Sequence, residues 1–140
     1  MTMDTPDRRS RLAWLCLRIV VAGLIAAHGW KRFTDGGVVP FGEWLTSQHV
    51  PLGFAIAAAI TAIEVLGTPL YALGWFVPVL SVAYASIYVA GIAMVHGREG
   101  WFVVGAGRNG AEYSVLLIVC LLCVGLQHAR LSSSRSRSSR

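Results

Sequence analysis

This chain is poor in charge. Charged residues fill 14% of its 140 positions, against roughly a quarter in soluble globular domains. With 55% hydrophobic residues and a mean hydropathy of +0.60, the balance is that of a small integral membrane protein. Cysteine is scarce as well, three in all. Cys120 and Cys123 form a C-x-x-C, but they fall inside an apolar stretch and not at a helix N-terminus, where a thiol is activated. They read as small packing residues, as does Cys16, and no disulfide is expected in a reducing cytosol. The chain shows no haem-attachment motif, no flavin fold and no metal-ligand pattern. The glycines between His96 and Gly110 do not make a dinucleotide fingerprint, since no strand precedes them and no βαβ unit fits here. The basic surplus, +5 net, does not imply a nucleic-acid partner. Arg8, Arg9, Arg11, Arg130, Arg135, Arg137 and Arg140 sit at the two ends, a distribution that reads as topology signal and contact with anionic head groups.

What is present is a set of long apolar runs, at about 12–30, 52–75, 78–96 and 111–127. Each is long enough for a helix to cross a hydrocarbon core of about 30 Å. The expected fold is all-α, a four-helix transmembrane bundle in the cell membrane, occupying residues 11–128. Polar residues 1–10 and the Ser/Arg tail 129–140 are expected to be disordered. The first run shares the charged start of a signal peptide, and Ala26-Ala27 imitates a cleavage site, but Arg18 and the length favour an uncleaved span. Seven terminal arginines against Lys31, Arg32, Arg98 and Arg108 in the other loops predict both termini in the cytoplasm. Pro78 suits the first turn of the third span, and Pro69 removes a helical hydrogen bond from the second. In the loop 31–51, Phe41, Trp44 and Leu45 share one face of a short helix lying in the head-group layer, or else belong to an irregular loop. The loop 97–110 reads as a flexible lid anchored by Trp101 and Phe102.

Glu64 stands near the middle of the second run. A carboxylate there costs roughly 2.5–3.5 kcal/mol even on the mildest insertion scale, so it must face protein, a partner charge or water. Thr61, Thr68 and Tyr71 lie on the same helical stripe, which should face the interior. Counted from the cytoplasmic ends, Arg18 is roughly 9 Å and Glu64 roughly 16 Å deep, so an Arg18–Glu64 pair is expected. His28, Lys31, His96 and Glu112 should arrive together at the outer boundary, with Tyr84 and Tyr88 lining the same interior. Such a set can bind a quinone, whose carbonyls need hydrogen-bond donors and whose reduction needs groups that pass protons. Plainer roles stand beside this one. His28 and His96 suit the interface, or a pair of axial haem ligands. Glu112 suits the dipole of its helix, and Lys31 is an ordinary interfacial anchor.

Arg18, the His28-Gly29-Trp30-Lys31 run, Glu64 with Gly67 and Gly74, His96-Gly97 and Gly110-Ala111-Glu112-Tyr113 together resemble the pattern of the DoxX family over residues 11–127. That resemblance implies a four-helix bacterial inner-membrane protein. The family is named for a subunit associated with an archaeal terminal quinol oxidase and thiosulfate:quinone oxidoreductase, and mycobacterial relatives are linked to a membrane oxidoreductase complex with superoxide dismutase and a sulfurtransferase. Many relatives end in a Gly-containing, Asp-bearing segment, where this chain ends in Arg and Ser. The expectation is a membrane subunit of a redox system that interacts with the quinone pool. In it, Glu64 and Arg18 would be catalytic, and His28, Lys31, Tyr84, Tyr88, His96 and Glu112 would bind the quinone. Its partners would be the lipid bilayer, soluble or membrane oxidoreductase subunits, and possible further copies of the chain. A non-catalytic scaffold for an oxidoreductase, and a small-solute or proton pathway with Glu64 as relay, are the alternatives.

Overall fold

The computed structural model describes residues 8–104 and 109–138, with the backbone alone beyond residue 130. The polar residues before Arg8, and Gly105, Gly107 and Arg108 of the expected lid, lie outside the described residues. The chain runs α1 (Arg8–Thr34), α2 (Val38–Ser47), α3 (Gly53–Leu73), α4 (Val77–Met94), a 3-10 turn (His96–Arg98) and α5 (Glu112–Ser138). No strand occurs among the described residues. Within α1, α3, α4 and α5 lie four segments long and apolar enough to cross a membrane. The protein is thus a multi-pass, all-helical membrane protein. Two helices outrun their expected limits: α1 continues past residue 30 to Thr34, and α5 past residue 127 to Ser138.

The helices fall into two compact units, Ala22–Phe76 and the remainder. In the first, the end of α1 is joined to α2 by a three-residue turn. The Asp35 N–H donates to the Lys31 carbonyl (3.0 Å) and the Gly37 N–H to the Arg32 carbonyl (2.8 Å). Gly36 takes φ +70, a left-handed conformation that costs glycine little and other residues more. Of the two readings of loop 31–51, the short helix is the one that forms. Leu45 is buried and Phe41 and Trp44 half-buried, the two rings stacked at 6.1 Å. This helix rests on the start of α3 through glycines. A Cβ on Gly42 would lie 2.7 Å from the Phe54 Cα, and one on Gly53 would strike the Gly42 carbonyl oxygen. Small residues let the two backbones approach this closely, the device that holds helices together where no water drives them.

α3 ends in a Schellman motif. Gly74 is left-handed at φ +91, the Trp75 N–H reaches back to the Leu70 carbonyl (2.8 Å), and the Gly74 N–H bonds to Tyr71 (3.0 Å). Its expected interior stripe is buried: Thr61, Glu64, Thr68 and Tyr71 are all at most 3% exposed. In the second unit, α4 begins at Val77 with Pro78 in its first turn, and it packs on α5. Leu80, Tyr84 and Ala85 of α4 and Leu117, Leu121 and Val124 of α5 are buried there. A Cβ on Gly125 would meet the Ser81 side chain at 2.9 Å, so the glycine permits that close crossing.

Candidate functional site

The interior stripe of α3 meets the last turns of α1 at Glu64. Its Oε2 accepts a hydrogen bond from Arg32 Nη1 at 2.6 Å, and the same nitrogen donates to Thr61 Oγ1 at 3.3 Å. The Glu64 side chain is 4% exposed and that of Arg32 21%. The pair forms because three neighbours leave room for it. Gly29, one turn before Arg32, presses on α3 so tightly that a Cβ there would lie 2.6 Å from the Glu64 Cβ. Gly37 touches the Arg32 side chain, where a Cβ would sit 3.2 Å from its Cγ. Phe41 of α2 lies against the guanidinium, 4.7 Å from Cζ to ring centroid, a cation–π contact. Arg32 also lies in the last turn of α1, where the helix dipole favours a cation. The two threonines serve the backbone: Thr61 donates to the Ala57 carbonyl (2.8 Å) and Thr68 to the Glu64 carbonyl (2.7 Å).

The partner of Glu64 is therefore Arg32, where Arg18 was expected. Arg18 precedes Arg32 on the same helix by about 21 Å of axis, at roughly 1.5 Å per residue. Counting depth from the ends of two helices assumed that both start at one level. Arg18 is half-buried, and its Nε has no hydrogen-bond partner among the described residues. Arg32 lies beyond residue 30, where the apolar run ends, while the helix itself continues to Thr34. One more turn of helix places it in register with the buried positions Ile25 and Gly29, at spacings of four and three. That register was the available signal.

Two hollows flank the pair within this unit. One, about 450 Å³, is lined by Ala27, His28, Lys31, Arg32, Asp35 and Gly37. His28 and Lys31 are thus gathered with Arg32, although both are exposed, and Lys31 Nζ is bonded to Asp35 Oδ2 at 2.6 Å. That bond, with a second from the Thr34 hydroxyl, holds the Asp35 carboxyl below its ordinary range. The other hollow, about 370 Å³, is an apolar groove of Phe33, Val38, Ala58, Ala62, Val65 and Leu66, with Thr61 as its one hydroxyl.

The remaining expected residues fall in the other unit. Tyr84 is buried and Tyr88 half-buried on α4. His96 and Glu112 are each tied to the α4–α5 connection. His96 Nδ1 donates to the Asn109 carbonyl (2.7 Å), and Glu112 Oε1 accepts the Val103 N–H (3.0 Å). Among the described residues no cluster of His, Cys, Asp and Glu could hold a metal ion.

Four apolar spans define a multi-pass membrane protein, and an arginine–glutamate pair joins the end of its first spanning helix to the middle of its second. The DoxX family model matches residues 13–97, more than half of the chain, and the chain belongs to the DoxX family. The match takes in Arg18, the 28–31 run, Glu64 and His96, and it ends before α5, so it is shorter than the resemblance over residues 11–127. No curated protein and no solved structure matches the chain.

Proposed function

We propose that this DoxX-family protein is the membrane subunit of a quinone-linked redox system, and that the cluster of Arg32, Glu64 and Thr61 is where a quinone head group docks. The observation that carries this reading is a mid-span carboxylate, hydrogen-bonded to an arginine at the end of the neighbouring helix, beside an apolar groove. Such a carboxylate is rare inside a membrane and marks a ligand or proton site by default. The residues fit the group. A guanidinium has five N–H donors, suited to a carbonyl oxygen, and a groove of about 370 Å³ falls in the range of small-molecule sites, roughly 300–1,000 Å³. When bound, a quinone supplies a two-electron, two-proton couple. The chain's own part is to orient the head by Arg32, to shield it from water with Phe33, Val38 and Leu66, and to hold or release a proton at the Glu64 carboxylate. Arg18, His28, Lys31, Tyr84, Tyr88, His96 and Glu112 stay in this proposal as residues to test after these three.

Quinone extracted from protein purified in mild detergent tests the reading. The wild type should carry quinone, and Glu64→Gln should assemble at normal yield while losing about tenfold or more of it, the scale of removing a charged hydrogen bond. A wild type free of quinone, purified with a stoichiometric soluble partner, favours the scaffold reading. That second reading has its own support, since Arg32, Glu64 and Thr61 already satisfy one another. We also place both termini in the cytoplasm, on the strength of the arginine count. Impermeant thiol labelling from outside should reach Gln48→Cys and miss Ser134→Cys, and the reverse pattern would invert the topology.

A further inference from the structure

The connection between α4 and α5 carries apolar side chains that no helix uses. Trp101 is 54% exposed, Phe102 55%, Val103 37% and Val104 80%. Their backbone is clasped onto the start of α5. The Ala111 N–H donates to the Gly100 carbonyl (3.0 Å), the Glu112 N–H to Trp101 (3.0 Å) and the Gly110 N–H to Phe102 (3.2 Å). The Glu112 carboxylate closes the clasp on the Val103 N–H (3.0 Å). Gly110 is required, because a Cβ there would strike the Trp101 and Phe102 carbonyls at 2.5 Å. These bonds occupy N–H groups that the first turn of a helix leaves without intrahelical partners, and they fix four exposed apolar residues within one turn of the helix end.

The position of that end is set by length. The apolar part of α5, 19 residues from Glu112 to Arg130, spans about 28 Å as a helix, close to the roughly 30 Å hydrocarbon core. Glu112 therefore stands at a membrane boundary, and the clasp stands with it. Arg98 and Glu99, exposed on the turn before, keep the connection from sinking deeper. Tryptophan and its aromatic neighbours favour the head-group layer, and a run of four exposed apolar residues is not what water tolerates on an otherwise polar turn.

We propose that residues 101–104 form a clasp inserted into the interfacial layer of the bilayer, with lipid as its partner. The inference is independent of the quinone reading.

An environment-sensitive NBD label at Val104→Cys tests it, in a chain with Cys16, Cys120 and Cys123 replaced by Ala. The site is the most exposed of the four, so the substitution leaves packing untouched. In phosphatidylcholine nanodiscs the label should emit blue-shifted relative to water. Lipids with a nitroxide at the head group or upper chain should quench it about twofold more than lipids with one near the chain end, as expected of an interfacial depth. Water-like emission without lipid quenching would overturn the proposal. Blue-shifted emission that no nitroxide lipid quenches would also overturn it, since the partner would then be protein.

Discussion

Two ion pairs sit side by side at the end of α1, and both measure 2.6 Å. Lys31–Asp35 joins residues of one turn with side chains 79% and 55% exposed; Arg32–Glu64 joins two helices with side chains 21% and 4% exposed. Equal geometry therefore carries unequal consequence. In water the first pair is screened and each partner is solvated without the other. In the second, the carboxylate has almost no water to fall back on, and removing the arginine strands it. Adjacent residues thus divide the work: Lys31 trims the surface of the helix end, while Arg32 ties α1 to the middle of α3.

The comparison breaks most visibly at Arg32. Arg32→Ala should destabilise by about 3–5 kcal/mol, the cost of leaving one member of a buried pair alone, read as a shift in the reversible unfolding of protein in mixed micelles. Lys31→Ala in the same assay should be near wild type, and an equal loss at both positions would erase the distinction. Gly29→Ala comes next. A methyl group 2.6 Å from the Glu64 Cβ forces α1 and α3 apart, and overpacking of this kind costs about 1–3 kcal/mol. Gly23→Ala, where a Cβ would meet nothing within 4 Å, is the matched control and should be neutral or slightly stabilising. The smallest effect belongs to Asp35. Its carboxyl is held below the ordinary range by Lys31 and Thr34, so the stability it adds is present above that range and is lost as pH falls through the lowered value. Asp35→Asn should lower the melting temperature at neutral pH only slightly, because the pair is exposed, and should remove the same shallow part of the acid-side slope. A large drop at neutral pH would show that the exposed pair holds the Asp35–Gly37 turn together.

Much of the fold was legible because lipid makes composition informative. Four long apolar runs can do little but span, and Glu64, isolated in one of them, could only face inward. The burial of Thr61, Thr68 and Tyr71 followed from spacing on a single helix. What the sequence hid was anything that depended on the level of one helix against another. Glu64 pairs with Arg32 and not Arg18 for that reason: the apolar run stops at residue 30, but the helix carries on to Thr34 and brings Arg32 to Glu64. The packing of α2 on α3 was hidden for a related reason: Gly42 and Gly53 are unremarkable in the sequence, and only their meeting gives them a role. Gly100 and Gly110 are alike in this: only the structure shows that they let the clasp close.

The central claim is that Glu64 answers to Arg32, and a double-mutant cycle tests it directly. Unfolding free energies of Arg32→Gln, Glu64→Gln and the double variant should give a coupling of about 2 kcal/mol or more, as for groups in one buried network. The parallel cycle with Arg18→Gln should be additive within about 0.5 kcal/mol, as for separated sites. Additivity between Arg32 and Glu64, with the coupling found at Arg18 instead, would contradict the account.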